Sequence, residues 1–583
     1  MEKKSDTLIL KGTAASPGIA GGRVYYLKRD EFHLPQHSIG AGEVEAELAA
    51  FQRALEKTDG QLEELQERVE EEVDADKAAI FAAHRLVLLD PALVGEVEAR
   101  IRNGVNGAQA IFAVVRELVE MLAQLEDEYL RERAADVEDV GKRILGNFLG
   151  VPHTNLGDIR EAVVVLAPDL TPSKTAQLEP GQVLAFATAA GGRTSHAAIM
   201  ARSLGIPAVV GLGEGHGVNL AQAQEAIVDG TRGEVVLNPR EEDWERLRER
   251  ERAYRERRRH LNSLRELPAQ TPDGRRVRLL ANIGSPADLG PVREVNAEGI
   301  GLFRTEFLYL DRDSSPGEEE QFRAYKEVLE GMAPHPVTIR SLDIGGDKEV
   351  PHLGLPRELN PFLGWRAIRY CLDQPEVFRT QLAAILRASA YGKVRLMLPM
   401  ITNLEEIRRA KALLRETAAD LAGRGLAYDG QLKVGIMIET PGAALLSDVL
   451  AQEVDFFSIG TNDLIQYSLA VDRGNERVSH LFQAFHPGVL RLVQQVIAAG
   501  QAAGIEVAMC GEMAGDLWAV PLLLGLGLDE FSMGAGSLLA VKEIIRSLSY
   551  GDAQRLAAQA LGMSTAGEIG ALMKECISGL GLK

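Results

Sequence analysis

The stretch GGRTSHAAIMARSLGIPAVVG, residues 191–211, sets one histidine, His196, directly before a run of small and apolar residues with helical character. No second histidine, cysteine or carboxylate stands one helical turn on, so the spacing does not suit a metal site. An imidazole can instead accept a phosphoryl group and hand it on. The N–H groups and dipole of a helix N-terminus would stabilise the added negative charge. Thr194 and Ser195 carry hydroxyls that can cap such a helix, and Gly191 and Gly192 let the backbone come close. The competing reading of His196, a satisfied core histidine, stays open on this motif alone.

A second set of reactive side chains lies beyond residue 277. Eight short apolar runs recur there: VRLLAN, GIGLF, PVTIRSLDI, VRLMLP, KVGIMI, FFSIG, EVAMC and DEFSM. Most are separated by a helical stretch, which predicts a (β/α)8 TIM barrel. At or just after their ends stand Asn282, Arg304, Arg340 with Asp343, Pro399, Glu439, Asn462 with Asp463, Cys510 and Ser532. Barrel enzymes build their active sites at the C-terminal ends of the strands. Arg304, Arg340, Arg366 and Arg473 offer planar forks for carboxylate or phosphate. Glu439 and Asp463 are hard oxygen ligands of the kind that hold Mg2+, with substrate oxygens and water completing its shell. Together they point to a small phosphorylated acid. The weakly acidic thiol of Cys510 is a candidate proton donor, although a lone cysteine is also a common core residue.

These residues need elements to position them. Residues 7–27 read as two short strands around a glycine turn, and from 161 onward apolar strands alternate with turns and short helices in an α/β pattern. The early strands are expected to pack with the later ones. That makes the intervening segment an insertion, and its helical periodicity predicts a bundle or paired hairpins. Residues 31–150 hold 26 Asp/Glu and 12 Lys/Arg, a net of −14 out of −20 for the whole chain. The segment is either a solvated acidic module or a docking surface for a basic partner. Residues 241–267 contain no Gly or Pro and read as a linker helix, with Trp244, Leu247, Tyr254, Leu261 and Leu264 near a 3–4 spacing. The boundaries expected are therefore 1–33 with 151–240 for the α/β domain carrying His196, 34–150 for the helical insertion, 241–267 for the linker and 268–583 for the barrel.

The net charge argues against a nucleic-acid binder. No apolar run is long enough to span a bilayer, and the N-terminus lacks the apolar segment of a signal peptide. Three scattered cysteines suit a reducing cytoplasm.

Several longer motifs carry a resemblance: DLTPS (169–173), the His196 stretch, GLFRTEFLYLDR (301–312), RSLDIGGDK (340–348), NPFLGWRAIR (360–369), IMIETP (436–441), SIGTNDLIQYSLAVDRGNE (458–476) and CGEMAGD (510–516). In order and over essentially the whole chain, they resemble enzyme I of the bacterial phosphoenolpyruvate:sugar phosphotransferase system. The resemblance implies phosphorylation of His196 on Nε2 by phosphoenolpyruvate. It implies substrate binding by Arg304, Arg340, Asn462 and Arg473, with Arg366 a further active-site arginine. Glu439 and Asp463 would bind Mg2+, and Cys510 would protonate the enolate to give pyruvate. The phosphoryl group would pass to a histidine of the carrier protein HPr docked on the helical insertion, as the first step of sugar uptake. A homodimer formed through the barrels is implied as well. Because His196 and the barrel mouth fall in different domains, one rigid arrangement is unsuited to both transfers, and a swivel of the phosphohistidine domain is expected.

Three other readings compete. Pyruvate,phosphate dikinase and phosphoenolpyruvate synthase look similar over the His196 segment and the barrel, but they need an ATP-binding domain. Residues 1–160 are largely helical and acidic, with no glycine-rich nucleotide loop. The nitrogen-branch paralogue would carry an additional sensor domain. A non-catalytic regulatory homologue would be expected to lose His196, Glu439, Asp463 or the arginines, and all are present.

Overall fold

Short Val- and Ala-rich runs separated by glycine turns form an eight-stranded sheet in the first part of the chain. The computed structural model describes residues 7–582 except 29–31, 33, 36, 73–74, 124–127, 152–158, 160, 176–180, 193–194, 214–219, 311, 313, 347–349, 357 and 476. The side chains of 68–80, 123–132, 172–173, 196, 199, 203 and 351 also lie outside the description. The chain divides into two compact units, Met1–Arg257 and Arg258–Lys583.

In the first unit the strands are β1 (Leu8–Lys11), β2 (Thr13–Ser16), β3 (Ile19–Tyr26), β4 (Val163–Ala167), β5 (Val183–Thr188), β6 (Ala208–Val210), β7 (Glu225–Asp229) and β8 (Glu234–Leu237). Their spatial order is β1-β8-β7-β3-β4-β5-β6-β2. Residues 7–27 thus form three strands, not the two read from sequence. The reason lies in distant partners. β1 pairs with β8 and β2 with β6, at opposite ends of the sheet, although only Gly12 separates β1 from β2. The sheet must curl until its two edges nearly meet at that residue. A Cβ on Gly12 would lie 2.7 Å from Val210 O, so glycine is what lets the chain cross there.

β3 pairs in parallel with β4, Arg23 opposite Val163, so everything between them is an insertion into the sheet. It consists of helices α1 (Val44–Glu72), α2 (Ala75–Leu88), α3 (Pro91–Arg102), α4 (Gly107–Ala123) and α5 (Glu128–Leu149). Each buries one apolar stripe, as Leu93, Val97 and Ile101 do on α3 at four-residue spacing. Asp90 caps α3 by accepting the Ala92 N–H, with Pro91 at the first helical position. The insertion has its own core around Phe51, Leu62, Leu88, Ile111 and Ile144.

Two further helices follow: α6 (Pro172–Thr175) and α7 (His196–Leu204). The eighth, α8, runs Glu241–Ser263, and the division between units falls within it. Within the first unit Trp244 and Leu247 pack over Gly21 of β3, where a Cβ would come within 2.8 Å of either side chain.

The second unit is a closed parallel barrel. Its strands are β9 (Arg278–Ile283), β10 (Ile300–Phe303), β11 (Val337–Arg340), β12 (Val394–Leu398), β13 (Lys433–Ile438), β14 (Phe456–Ile459), β15 (Glu506–Met509) and β16 (Glu530–Met533), with β16 pairing back to β9. All eight apolar runs read from sequence are these strands. Leu302, Met397, Met437, Phe456 and Cys510 meet inside the barrel. Gly435 makes room for the Phe456 ring, which a Cβ would approach to 2.5 Å. Among the described residues, no helix is long and apolar enough to cross a membrane.

Candidate active site

Arg340 is the last residue of β11 and is 6 % exposed. A buried cation needs partners, and Arg340 has two: the Glu306 carboxylate and Asp343 Oδ2 at 3.0 Å. Burial opposes its charge, but Glu306, Asp343 and Glu439 outweigh that, so the guanidinium titrates above its ordinary range. The Thr305 hydroxyl donates to the Arg340 carbonyl at 3.0 Å and fixes the strand end.

Arg366 comes from the long connection after β11. Gly345 stands against it at φ +105°, and a Cβ there would lie 2.6 Å from Arg366 Cβ, so glycine is required for this approach. The Arg366 guanidinium donates to Asp343 Oδ1 (2.9 Å), Asp463 Oδ2 (3.4 Å) and the Tyr467 hydroxyl (3.1 Å).

The carboxylates face these cations. Glu439 follows β13 and is 2 % exposed. Its Oε1 accepts the Met400 N–H at 2.6 Å. Met400 holds the left-handed φ of +57°, a costly conformation for a side-chain-bearing residue and one that clusters at functional sites. Asp463 lies in the first turn of the helix Thr461–Leu469. Burial first, then the negative charges of Asp463 and Asp343, push the Glu439 carboxyl up to about 8. Among the described residues Asp463 Oδ1 is buried with no hydrogen-bond donor, and Arg473 Nη1 lies 3.9 Å from it. Two buried carboxylates that repel each other, one oxygen lacking a donor, fit a hard divalent cation. Among the described residues, no group of three or more His, Cys, Asp or Glu side chains could hold a metal ion. A cation here would therefore take the rest of its shell from substrate and water.

Arg304, Arg340, Arg366, Glu439, Asn462, Asp463, Arg473 and Cys510 all line one cavity of about 260 Å³ at the C-terminal mouth of the barrel. Arg304 is exposed there. The Arg473 backbone N–H donates to Gln466 Oε1 at 3.1 Å, which anchors its loop on the same helix as Asp463. Cys510 follows β15 with its thiol 3.9 Å from the Ile459 carbonyl, and burial raises its pKa, which keeps the proton on sulfur. A second space of about 500 Å³ shares Arg304, Asn462, Cys510 and Gly511 with the first.

His196 belongs to the other unit. It is the first residue of α7; its side chain, Arg193 and Thr194 lie outside the described residues. Ser195 is the N-cap, its Oγ accepting the Ala198 N–H at 3.4 Å, and Gly205 closes the helix in the left-handed conformation. Gly191 (φ +103°) turns the chain back so that a Cβ would lie 3.3 Å from Ser195 Oγ. The backbone therefore puts position 196 at a helix N-terminus with a built cap, a place that favours negative charge.

Sequence reasoning passed over Glu306, Met400, Tyr467 and Glu512. Glu306 and Glu512 each stand two residues beyond a chosen residue, Arg304 and Cys510, in the same motifs, and their charge was the available signal. Met400 carries no such signal, because its backbone angle and not its side chain matters.

The chain is similar to known proteins over most of its length. The family described as PEP-utilising enzyme, PEP-binding domain, matches residues 258–550. The N-terminal and mobile domains of PEP-utilising enzymes match 11–133 and 159–233. The phosphoenolpyruvate-protein phosphotransferase of Staphylococcus carnosus is 49 % identical over 571 residues, covering 97 % of this chain and 98 % of the relative. The proteins of the same name from Staphylococcus aureus and Priestia megaterium are 48 % identical over 96 % of this chain, and over 98 % and 97 % of their own lengths.

Proposed function

Because the chain belongs to the phosphoenolpyruvate-protein phosphotransferase family, we propose that His196 takes the phosphoryl group from phosphoenolpyruvate and passes it to a histidine of the carrier protein HPr. The observation that carries the reading is the barrel-mouth cavity, where four arginines meet three buried carboxylates, Asp343, Glu439 and Asp463, and a protonated thiol.

In this reading Arg304, Arg340, Arg366 and Arg473 with Asn462 hold the phosphate and carboxylate of the substrate. Mg2+ held by Glu439 and Asp463 would supply charge neutralisation on the phosphoryl and enolate oxygens. The His196 Nε2 lone pair attacks phosphorus in line. A P–N bond forms as the P–O bond to the enol oxygen breaks, and that electron pair stays on the departing enolate. Cys510 gives its proton to C3 of the enolate, leaving pyruvate and a thiolate that is reprotonated from solvent. Arg340 and Arg366 are already paired and buried, so little reorganisation is needed on their side as charge moves. The phosphoryl group then leaves Nε2 for the HPr imidazole.

We take residues 34–150 as the HPr-binding subdomain, with their net charge of −13 as an attraction for a basic partner. Residues 1–33 with 151–240 are read as the phosphohistidine domain, 241–267 as the linker and 268–583 as the substrate and dimerisation domain. Exposed Leu445, Leu446, Val449 and Trp518 in the barrel unit support a homodimer. The buried thiols of Cys371 and Cys510 suit the cytoplasm.

Labelled phosphoenolpyruvate with Mg2+ tests the reading. Label should appear on the wild-type protein as an acid-labile, base-stable adduct, move to HPr when it is added, and be absent from His196→Ala. Label retained by His196→Ala would refute the acceptor assignment.

A further inference from the structure

An Asn side chain has two faces of opposite polarity: the oxygen accepts and the nitrogen donates. At a site for an anion, which end points at the ligand decides between attraction and repulsion. Asn462 lines the proposed substrate cavity, and one residue engages both ends of its amide. The Glu512 backbone N–H donates to Asn462 Oδ1 at 3.1 Å, and Asn462 Nδ2 donates to Glu512 Oε1 at 3.4 Å. The contacts run in opposite directions. Turning the amide over would set N–H against N–H and oxygen against carboxylate, so the pair fixes one orientation. Oδ1 is committed to Glu512, and the second Nδ2 hydrogen remains to donate to an anion.

Local sequence explains how Glu512 reaches Asn462. Gly511 lies so close to the start of the helix Thr461–Leu469 that a Cβ would collide with Thr461 Oγ1 and N. Only glycine lets the loop after β15 lie against that helix. Glu512 then opens the 3-10 turn Glu512–Gly515, where its N–H has no partner within the turn and is available to Asn462.

We propose that Glu512 is a positioning residue for substrate binding: it holds Asn462 with its donor toward the phosphorylated acid. The proposal rests on the reading of Asn462 as a substrate ligand. It also creates a tension, because the Glu512 carboxylate is an exposed negative charge bordering the space next to an anion site. The acceptor oxygen serves orientation, while the charge works against affinity.

Steady-state transfer from phosphoenolpyruvate to excess HPr separates the two. Glu512→Ala should raise the KM for phosphoenolpyruvate about tenfold, the scale of one hydrogen bond, with kcat within about threefold of wild type. Glu512→Gln keeps an acceptor and removes the charge, so its KM should return to the wild-type value or below it. In an Asn462→Ala background, Glu512→Ala should add no further rise, because its route to the substrate is gone. The proposal is overturned if Glu512→Ala leaves KM unchanged or lowers kcat instead. It is equally overturned if Glu512→Gln is as impaired as Glu512→Ala, or if the rise is the same in both backgrounds. An Asn462→Ala variant with wild-type KM would instead remove the substrate-ligand reading on which the proposal stands.

Discussion

At the N-terminal end of the barrel strands, Arg395 of β12 reaches Glu530 of β16 with two contacts of 3.1 Å. Arg278 of β9 pairs with the same Glu530 and with Glu506 of β15, and Arg395 is 3.5 Å from Glu506. At the C-terminal end, Arg366 divides its guanidinium among Asp343, Asp463 and Tyr467. There Asp463 Oδ1, Arg340 Nε and Arg366 Nε are buried without hydrogen-bond partners among the described residues; at the lower end Glu530 Oε2 also lacks a hydrogen bond, but the Arg395 guanidinium lies 3.1 Å from it. Leu302, Met397, Met437 and Phe456 provide an apolar cluster inside the barrel between these levels. The same residue types thus serve two ends differently. The lower set closes on itself and spends its charge on structure. The upper set keeps donors and acceptors in reserve, as a site that must receive a charged ligand does.

Breaking the upper set should cost chemistry and spare the fold. Glu439→Gln or Asp463→Asn should lower phosphorylation by phosphoenolpyruvate about a thousandfold, several kcal/mol of lost charge stabilisation. Back-transfer from phospho-HPr to His196 should survive, because it needs no barrel. Labelled-transfer assays in both directions, with a melting curve, check this. Loss of both reactions in a folded variant would erase the distinction between sites.

Breaking the lower set should do the reverse. Glu530→Ala leaves Arg395 and Arg278 with only the half-exposed Glu506 as a counter-charge, and a broken buried pair costs about 3 kcal/mol or more. The KM of the folded fraction for phosphoenolpyruvate should not change. Urea unfolding followed by fluorescence in a Trp244→Phe background reads the barrel, since the remaining tryptophans, Trp365 and Trp518, belong to its unit. A rise in KM without loss of stability would show that the two ends are coupled.

The barrel was legible because each strand is a continuous apolar run with a charged or polar residue near its C-terminal end, a pattern local to a few residues. The upper cavity was legible for the same reason: Arg304, Glu439, Asn462, Asp463 and Cys510 mark the ends of such runs. The N-terminal sheet was less so. Leu8 opposite Leu237 and Thr13 opposite Val210 are pairings that no local pattern reveals, and the break at Gly12 follows from them. Glu306 and Tyr467 were hidden likewise, their partners lying 34 and 101 residues away. The left-handed backbone at Met400 follows from the packed mouth and not from its residue type.

The pH behaviour of the upper end sharpens the contrast through metal removal. With its carboxyl pushed up to about 8, Glu439 is protonated at pH 7 in cation-depleted protein. Binding a divalent cation needs the carboxylate, so it should release close to one proton per site at pH 7 and almost none above pH 9. Calorimetry in buffers of different ionisation enthalpy measures that number directly. Release of no proton at pH 7 would mean that Glu439 is already ionised and that the mutual repulsion is not felt.

The smallest effect is a difference in sign between the ends. In cation-depleted protein Glu439 binds a proton more tightly when folded than when unfolded. Stability should therefore fall as pH rises from the ordinary carboxylate range toward 8, by up to about 1.4 kcal/mol per pH unit. Glu439→Gln should abolish that slope and be the more stable protein above pH 8. Glu506 is the opposite case. Burial works against its charge, but Arg278 and Arg395 outweigh it and hold its carboxyl below the usual range. Its contribution is present above the unfolded pKa and lost as pH falls through the folded one. The side chain is 43 % exposed, so solvent screening limits the contribution to about 1 kcal/mol or less. Glu506→Gln should thus cost that much at pH 7 and progressively less below pH 4. The stability difference between wild type and each variant, followed by barrel unfolding across pH, should give slopes of opposite sign for the two substitutions. Slopes of the same sign would mean that the two ends do not differ in the way their charges are held.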